Sequence, residues 1–193
     1  MAHPEWPSLT IVGVHSWREI LRNHLTHDLL GKIFYRLALI FRHEFTLPSN
    51  LRVVQSPPIA ELRRLQLASG VHVCPSEQEG FGHYINEARA LSALVITTNH
   101  PPMNEFIVDN VTGILVQHDP PFFEGYQGMA PYFKSVANVR KDHICTGVSR
   151  VLAMDTDARK FMGKKARAAY EFDTNVMASN LINFGDEALA RLK

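Results

Sequence analysis

The residues best placed to do chemistry run from Pro75 to Ala88: Pro75-Ser76-Glu77-Gln78-Glu79-Gly80-Phe81-Gly82-His83-Tyr84-Ile85-Asn86-Glu87-Ala88. Glu79 stands before a Gly-x-Gly loop, and Glu87 falls in the helical pattern that follows. Two glycines let a ligand come close to bare main chain. A helix start offers unpaired N–H groups and a partial positive charge to an anion. A carboxylate on either side accepts hydrogen bonds from hydroxyl groups. Together these are the parts needed to hold a sugar joined to a phosphate.

The elements that must position them read as alternating strands and helices. Leu9-Thr10-Ile11-Val12-Gly13-Val14 reads as a buried strand, Leu51–Val54 as a second and Val71–Cys74 as a third. Leu94–Thr98 and Gly113–Val116 supply a fourth and a fifth. Helical spacing runs from Trp17 to about Phe41, from Ile59 to Ala68 behind Pro57-Pro58, and through Glu87 to about Leu91; a short helix is expected around Asn104–Ile107. Short apolar strands without clear alternation are expected when both faces are covered, which predicts a Rossmann-like parallel sheet flanked by helices. Ligands of such sheets bind at the carboxyl ends of the strands, where the Glu79–Gly82 loop falls. After Val116 the pattern changes. Residues 117–139 read as a loop or insertion, and helices follow over about 140–153, 157–169 and 174–192. The expected organisation is a Rossmann-like domain over 1–139, with 140–193 as a helical extension packed on it.

Composition narrows the classes. The chain has 193 residues, 46% of them apolar and 20% charged, enough for a core without staples. Its net charge of +1 argues against a nucleic-acid partner. The two cysteines, Cys74 and Cys145, lack metal-ligand spacing, which suggests a reducing, cytoplasmic setting. The start of the chain has neither the basic nor the apolar segment of a secretory signal. Ile33–Phe41 is too short for a span of about 20 residues. A helix packed on a core or a partner is its first reading and peripheral membrane contact its second.

The ordered motifs resemble the C-terminal half of family 4 retaining glycosyltransferases of the GT-B fold. The resemblance runs from about Leu9 to Val116. It rests on Cys74-Pro75-Ser76, Glu79-Gly80-Phe81-Gly82, Asn86-Glu87-Ala88, Leu94–Thr97, Asn104-Glu105 and Thr112–Val116. It implies a nucleotide-diphosphate sugar as substrate, with Glu79 facing the donor sugar as the catalytic-site carboxylate. The main chain of Gly80, Phe81, Gly82 and His83 would meet the diphosphate, and Glu87 would hold the ribose. Ser76 and Glu105 would join the donor site, and Gln55-Ser56-Pro57 falls where the base sits. No metal or cofactor is implied, because backbone dipoles and basic side chains neutralise the leaving group. Two departures stand out. The acceptor half of a GT-B enzyme is not in this sequence. The Arg and Lys that the family places after its first strand have no assigned counterpart either; Met1 to Ser8 holds neither residue, and Arg18 is not at that position. A non-catalytic binding or scaffold protein, and a subunit whose partner supplies the acceptor domain, therefore stand beside the enzyme.

Bland readings accompany each residue. Glu79 serves equally as a loop cap and Glu87 as an exposed helical carboxylate. Gly80 and Gly82 serve equally to shape a turn. His83 either donates to phosphate or lies on the surface, and Glu105 either caps its helix or approaches the donor. His24 and His27 lack a third zinc ligand. Cys74 reads as a buried, inert thiol.

Overall fold

The computed structural model describes residues 6–13, 49–120 and 136–191. The Trp17–Phe41 pattern, with His24, His27 and the apolar Ile33–Phe41, lies outside the described residues, as does most of the loop after His118. The chain divides into two units, Met1–Leu65 and Gln66–Lys193.

In the first unit β1 (Leu9–Gly13) pairs in parallel with β2 (Leu51–Gln55), Leu9 opposite Leu51 and Gly13 opposite Gln55. The Leu9 N–H donates to the Asn50 carbonyl and the Ser56 N–H to the Gly13 carbonyl, which closes both ends of the ladder. The expectation of a buried β1 fails: Leu9 is 48%, Ile11 37% and Val12 41% exposed. Apolar run length reports β-propensity, whereas burial requires a layer on each face. Helix α1 (Ile59–Ala68) starts after the two prolines, where a missing N–H costs nothing. The division between the units falls inside it.

The second unit holds β3 (Val71–Cys74), α2 (His83–Ala90), β4 (Leu94–Thr98), a 3-10 turn (Met103–Glu105), β5 (Gly113–Val116), α3 (Lys141–Leu152) and α4 (Thr156–Arg191). β4 is central and runs parallel to both neighbours. Every residue of β4 and β5 is buried. Val95 joins Cys74 and Leu115 on one face, against Ile85, Ala88, Met103 and Ile107. Leu94 and Ile96 join Ile114 and Val116 on the other, against Val151 and Met162. Successive side chains thus point to opposite faces, and both faces are covered; this is why the strand reads as an unbroken apolar run. Because the three strands are parallel, the connections after Cys74, Thr98 and Val116 all leave from one edge of the sheet.

Two boundaries differ from expectation. The segments 157–169 and 174–192 form a single helix of 36 residues. At Thr174, where the last helix was expected to begin, the Oγ1 donates to the Tyr170 carbonyl one turn back, and Arg167 pairs with Glu171 at 2.6 Å across the expected gap. With no Pro or Gly in 170–174, nothing interrupts the ladder. The 3-10 turn is likewise shorter than the expected helix. Phe106 and Ile107 leave it to pack against the core.

Candidate functional site

The loop from Pro75 to Gly82 leaves the end of β3 and enters α2. It is tied down from several directions. Ser76 N–H donates to the Cys74 carbonyl (2.9 Å) and Ser76 Oγ to the Gln78 carbonyl (2.7 Å). From β4, Thr97 Oγ1 donates to the Cys74 carbonyl (2.9 Å) and Thr98 Oγ1 to the Ser76 carbonyl (2.6 Å). Ala137 N–H donates to the Glu77 carbonyl (2.7 Å). These bonds satisfy a turn that would otherwise carry unpaired polar groups next to a core.

Gly82 is the N-cap of α2, in the left-handed conformation at φ 59° and ψ 36°. A Cβ placed on it would lie 2.5 Å from Phe106 Cε2. Gly82 therefore has a structural reason to be glycine. Gly80 has none, since a Cβ there would meet nothing within 4 Å. No side chain caps the start of α2 and no acidic residue occupies its first turn. The first N–H groups of the helix and its positive end are thus offered outward.

Glu79 is half-buried, and its Oε1 accepts from the Gly80 N–H at 3.0 Å. The Tyr84 hydroxyl is buried without a hydrogen-bond partner, although Ser76 and Glu79 stand close enough to act on it. Burial pushes the Tyr84 phenol up to about 12; the Ser76 hydroxyl works against the rise, and the charges of Cys74 and Glu79 add to it. Burial first, then the charge of Glu79, also pushes the Cys74 thiol up to about 12. A thiol held protonated in this way is no nucleophile.

Phe81 is 78% exposed, and its ring stacks with that of His83, centroids 5.8 Å apart and planes at 28°. His83 begins α2 on the surface, and Glu87 lies one turn on and is also exposed. Glu87 Oε2 accepts from Gln66 Nε2 at 2.8 Å. Ser76, Glu79, Gly80, Phe81, Gly82 and His83 thus share one loop and helix start, with Glu87 on the next turn. Glu105 is exposed on the connection after β4, an acidic residue in a 3-10 turn that has no side-chain cap hydrogen bond. It adjoins Phe106, whose ring abuts Gly82. Gln55, Ser56 and Pro57 belong to the first unit. Among the described residues, no group of three His, Cys, Asp or Glu could hold a metal ion.

Sequence reasoning gave Asn86 no role beyond its place in the Asn86-Glu87-Ala88 motif, and passed over Arg89. Asn86 Nδ2 donates to the Phe81 carbonyl (3.3 Å), and Asn86 Oδ1 accepts from Arg89 Nη1 (2.7 Å). Arg89 is only 2% exposed and pairs with Asp173 of α4. One signal was available: an arginine on the face shared by Ile85 and Ala88 must find a carboxylate, because it does not deprotonate.

Residues 39–120 match the family described as Glycosyl transferases group 1. Alpha-maltose-1-phosphate synthase of Mycobacterium tuberculosis is 36% identical over 69 residues, which cover 36% of this chain and 18% of the synthase. The C-terminal domain of a glycosyl transferase group 1 family protein (LpcC) from Francisella tularensis superposes with a TM-score of 0.51 at 17% identity, over 86% of each chain. Anabaena Alr3699/HepE, solved in complex with UDP and glucose, gives a TM-score of 0.53 at 15% identity, over 91% of this chain and 48% of its own. The chain thus spans less than a fifth of the curated relative and about half of the longer solved protein. The match over 39–120 makes that part of the chain similar to group 1 glycosyl transferases, and its parallel sheet flanked by helices has the fold of the C-terminal half of the GT-B enzymes.

Proposed function

We propose that the segment from Ser76 to Glu87 binds a nucleotide-diphosphate sugar, and that the chain is the donor-binding part of a family 4 retaining glycosyltransferase. Main-chain N–H groups of Gly80 to His83 take the diphosphate, Glu79 orients the sugar and Glu87 holds the ribose hydroxyls. Ser76 and Glu105 line the same edge. An acceptor hydroxyl attacks the anomeric carbon from the face the diphosphate leaves. The bond from that carbon to the phosphate oxygen breaks as the new glycosidic bond forms, and the acceptor proton goes to the departing phosphate. The protein's contribution is orientation and fixed dipoles aimed at the leaving charge, without a metal or cofactor.

One observation carries this reading. An uncapped helix start free of acidic side chains adjoins a half-buried carboxylate at the carboxyl edge of a parallel sheet. The complex of the Anabaena protein with UDP and glucose supports it. Among the described residues no helix is long and apolar enough to cross a membrane. Calorimetry with a panel of nucleotides and nucleotide sugars tests the reading. Saturable heat with a nucleotide sugar, lost in Glu87→Ala, is expected; no heat with any of them refutes it.

A second reading is a binding protein or scaffold without turnover, or a subunit whose partner brings the acceptor site. It is favoured by the bond from Gly80 N–H to Glu79, which engages an amide the phosphate would need. Binding without glycosyl transfer selects it, and transfer restored by an added partner selects the subunit.

A further inference from the structure

Helix α4 is docked closely on α2. An added Cβ at Gly163 would lie 2.0 Å from the carbonyl oxygen of Ser92, just past the end of α2. The Arg167 guanidinium donates to the Ala90 carbonyl in the last turn of α2. From α2, Arg89 reaches back. Its Nη2 bonds Asp173 at 2.5 Å, and its guanidinium lies 5.9 Å from the centre of the Tyr170 ring. Arg89 Nη1 donates to Asn86, and Asn86 donates to the Phe81 carbonyl.

That carbonyl and the Gly82 N–H belong to the same planar peptide. Fixing the direction of one aims the other. The Arg89 guanidinium is almost wholly buried, so its place depends on the anion it finds. Its Nε is buried without a partner, which leaves the two Nη groups to hold it. We infer that Arg89 and Asp173 are positioning residues: Asp173, through Arg89 and Asn86, sets the aim of the Phe81–Gly82 peptide toward the donor diphosphate. The last clause rests on the function proposed above; the relay itself does not.

Asp173 is 56% exposed, so Asp173→Asn opens no cavity in the core, and far-UV circular dichroism checks that the fold survives the loss of the Arg89 counter-charge. In the ligand-free protein the amide resonances of Phe81, Gly82 and His83 shift in Asp173→Asn and return in Asp173→Glu. Asp186→Asn, farther along the same helix, leaves them in place. Affinity for the nucleotide sugar bound by the wild type falls about five- to tenfold in Asp173→Asn and recovers in Asp173→Glu. Combining Asp173→Asn with Asn86→Ser costs no more affinity than Asn86→Ser alone. Loop amides unmoved by Asp173→Asn, or moved equally by Asp186→Asn, overturn the relay. A wild type that binds no nucleotide sugar overturns the proposed function instead, and the ligand-free amide shifts still decide the relay.

Discussion

Replacing each glycine of the Gly-Phe-Gly loop by alanine separates backbone necessity from ligand approach. At Gly82 the left-handed φ of 59° costs an L-residue about 1–2 kcal/mol. The stiffer unfolded chain returns about 0.4–1 kcal/mol. The new methyl meets Phe106 Cε2 at 2.5 Å, and that ring is packed against the core containing Ile85 and Met103. Overpacking of this kind costs about 1–3 kcal/mol. The net loss expected for Gly82→Ala is about 1–5 kcal/mol, centred near 3. Gly80 has open space around its Cα and no left-handed φ, so Gly80→Ala stays within about 0.5 kcal/mol of wild type. Urea unfolding followed by far-UV circular dichroism reads both. If the loop amides meet a diphosphate, Gly80→Ala weakens nucleotide-sugar binding while stability holds. Equal destabilisation by the two substitutions, or less than about 0.5 kcal/mol at Gly82, would refute the reasoning.

Further outcomes are expected. Glu87→Ala weakens nucleotide-sugar binding by about 1–3 kcal/mol through loss of a charged hydrogen bond, and unchanged affinity removes Glu87 from the site. Cys74 and Tyr84 have pKa values of about 12, above their ordinary values of 9.0 and 10.0. The folded state therefore binds more protons than the unfolded state between those values. Stability holds below about pH 9 and falls as pH rises toward about 12, more gently in Cys74→Ala; a flat alkaline profile contradicts this. Arg150 bonds both oxygens of Asp109, Asn110 Oδ1 and the Leu115 carbonyl, and Arg150→Ala costs about 1–3 kcal/mol in urea unfolding. A change near zero would mean that the Asp109 turn holds itself in place.

The strands β3, β4 and β5 were legible because a parallel sheet covered on both faces needs short apolar runs, and the prolines and glycines mark their ends. The helix through Glu87 was legible from the loop before it and its own apolar spacing. What sequence missed depended on distance or on layers. Arg89 finds its carboxylate 84 positions away, beyond the reach of any local pattern. β1 looked buried because side-chain type says nothing about whether a layer covers it. The gap expected before Thr174 is helical, and the Thr174 hydroxyl bonds back to the Tyr170 carbonyl within it. The two glycines were indistinguishable as letters, and only φ and the Phe106 ring tell them apart.

The most direct measurement is a crystal structure of the chain soaked with the nucleotide sugar that calorimetry selects. The account predicts diphosphate oxygens on main-chain nitrogens at the start of α2, with Glu79 on the sugar and Glu87 on the ribose. Ligand density elsewhere on the chain, or at this edge with both carboxylates turned away from it, would contradict the account.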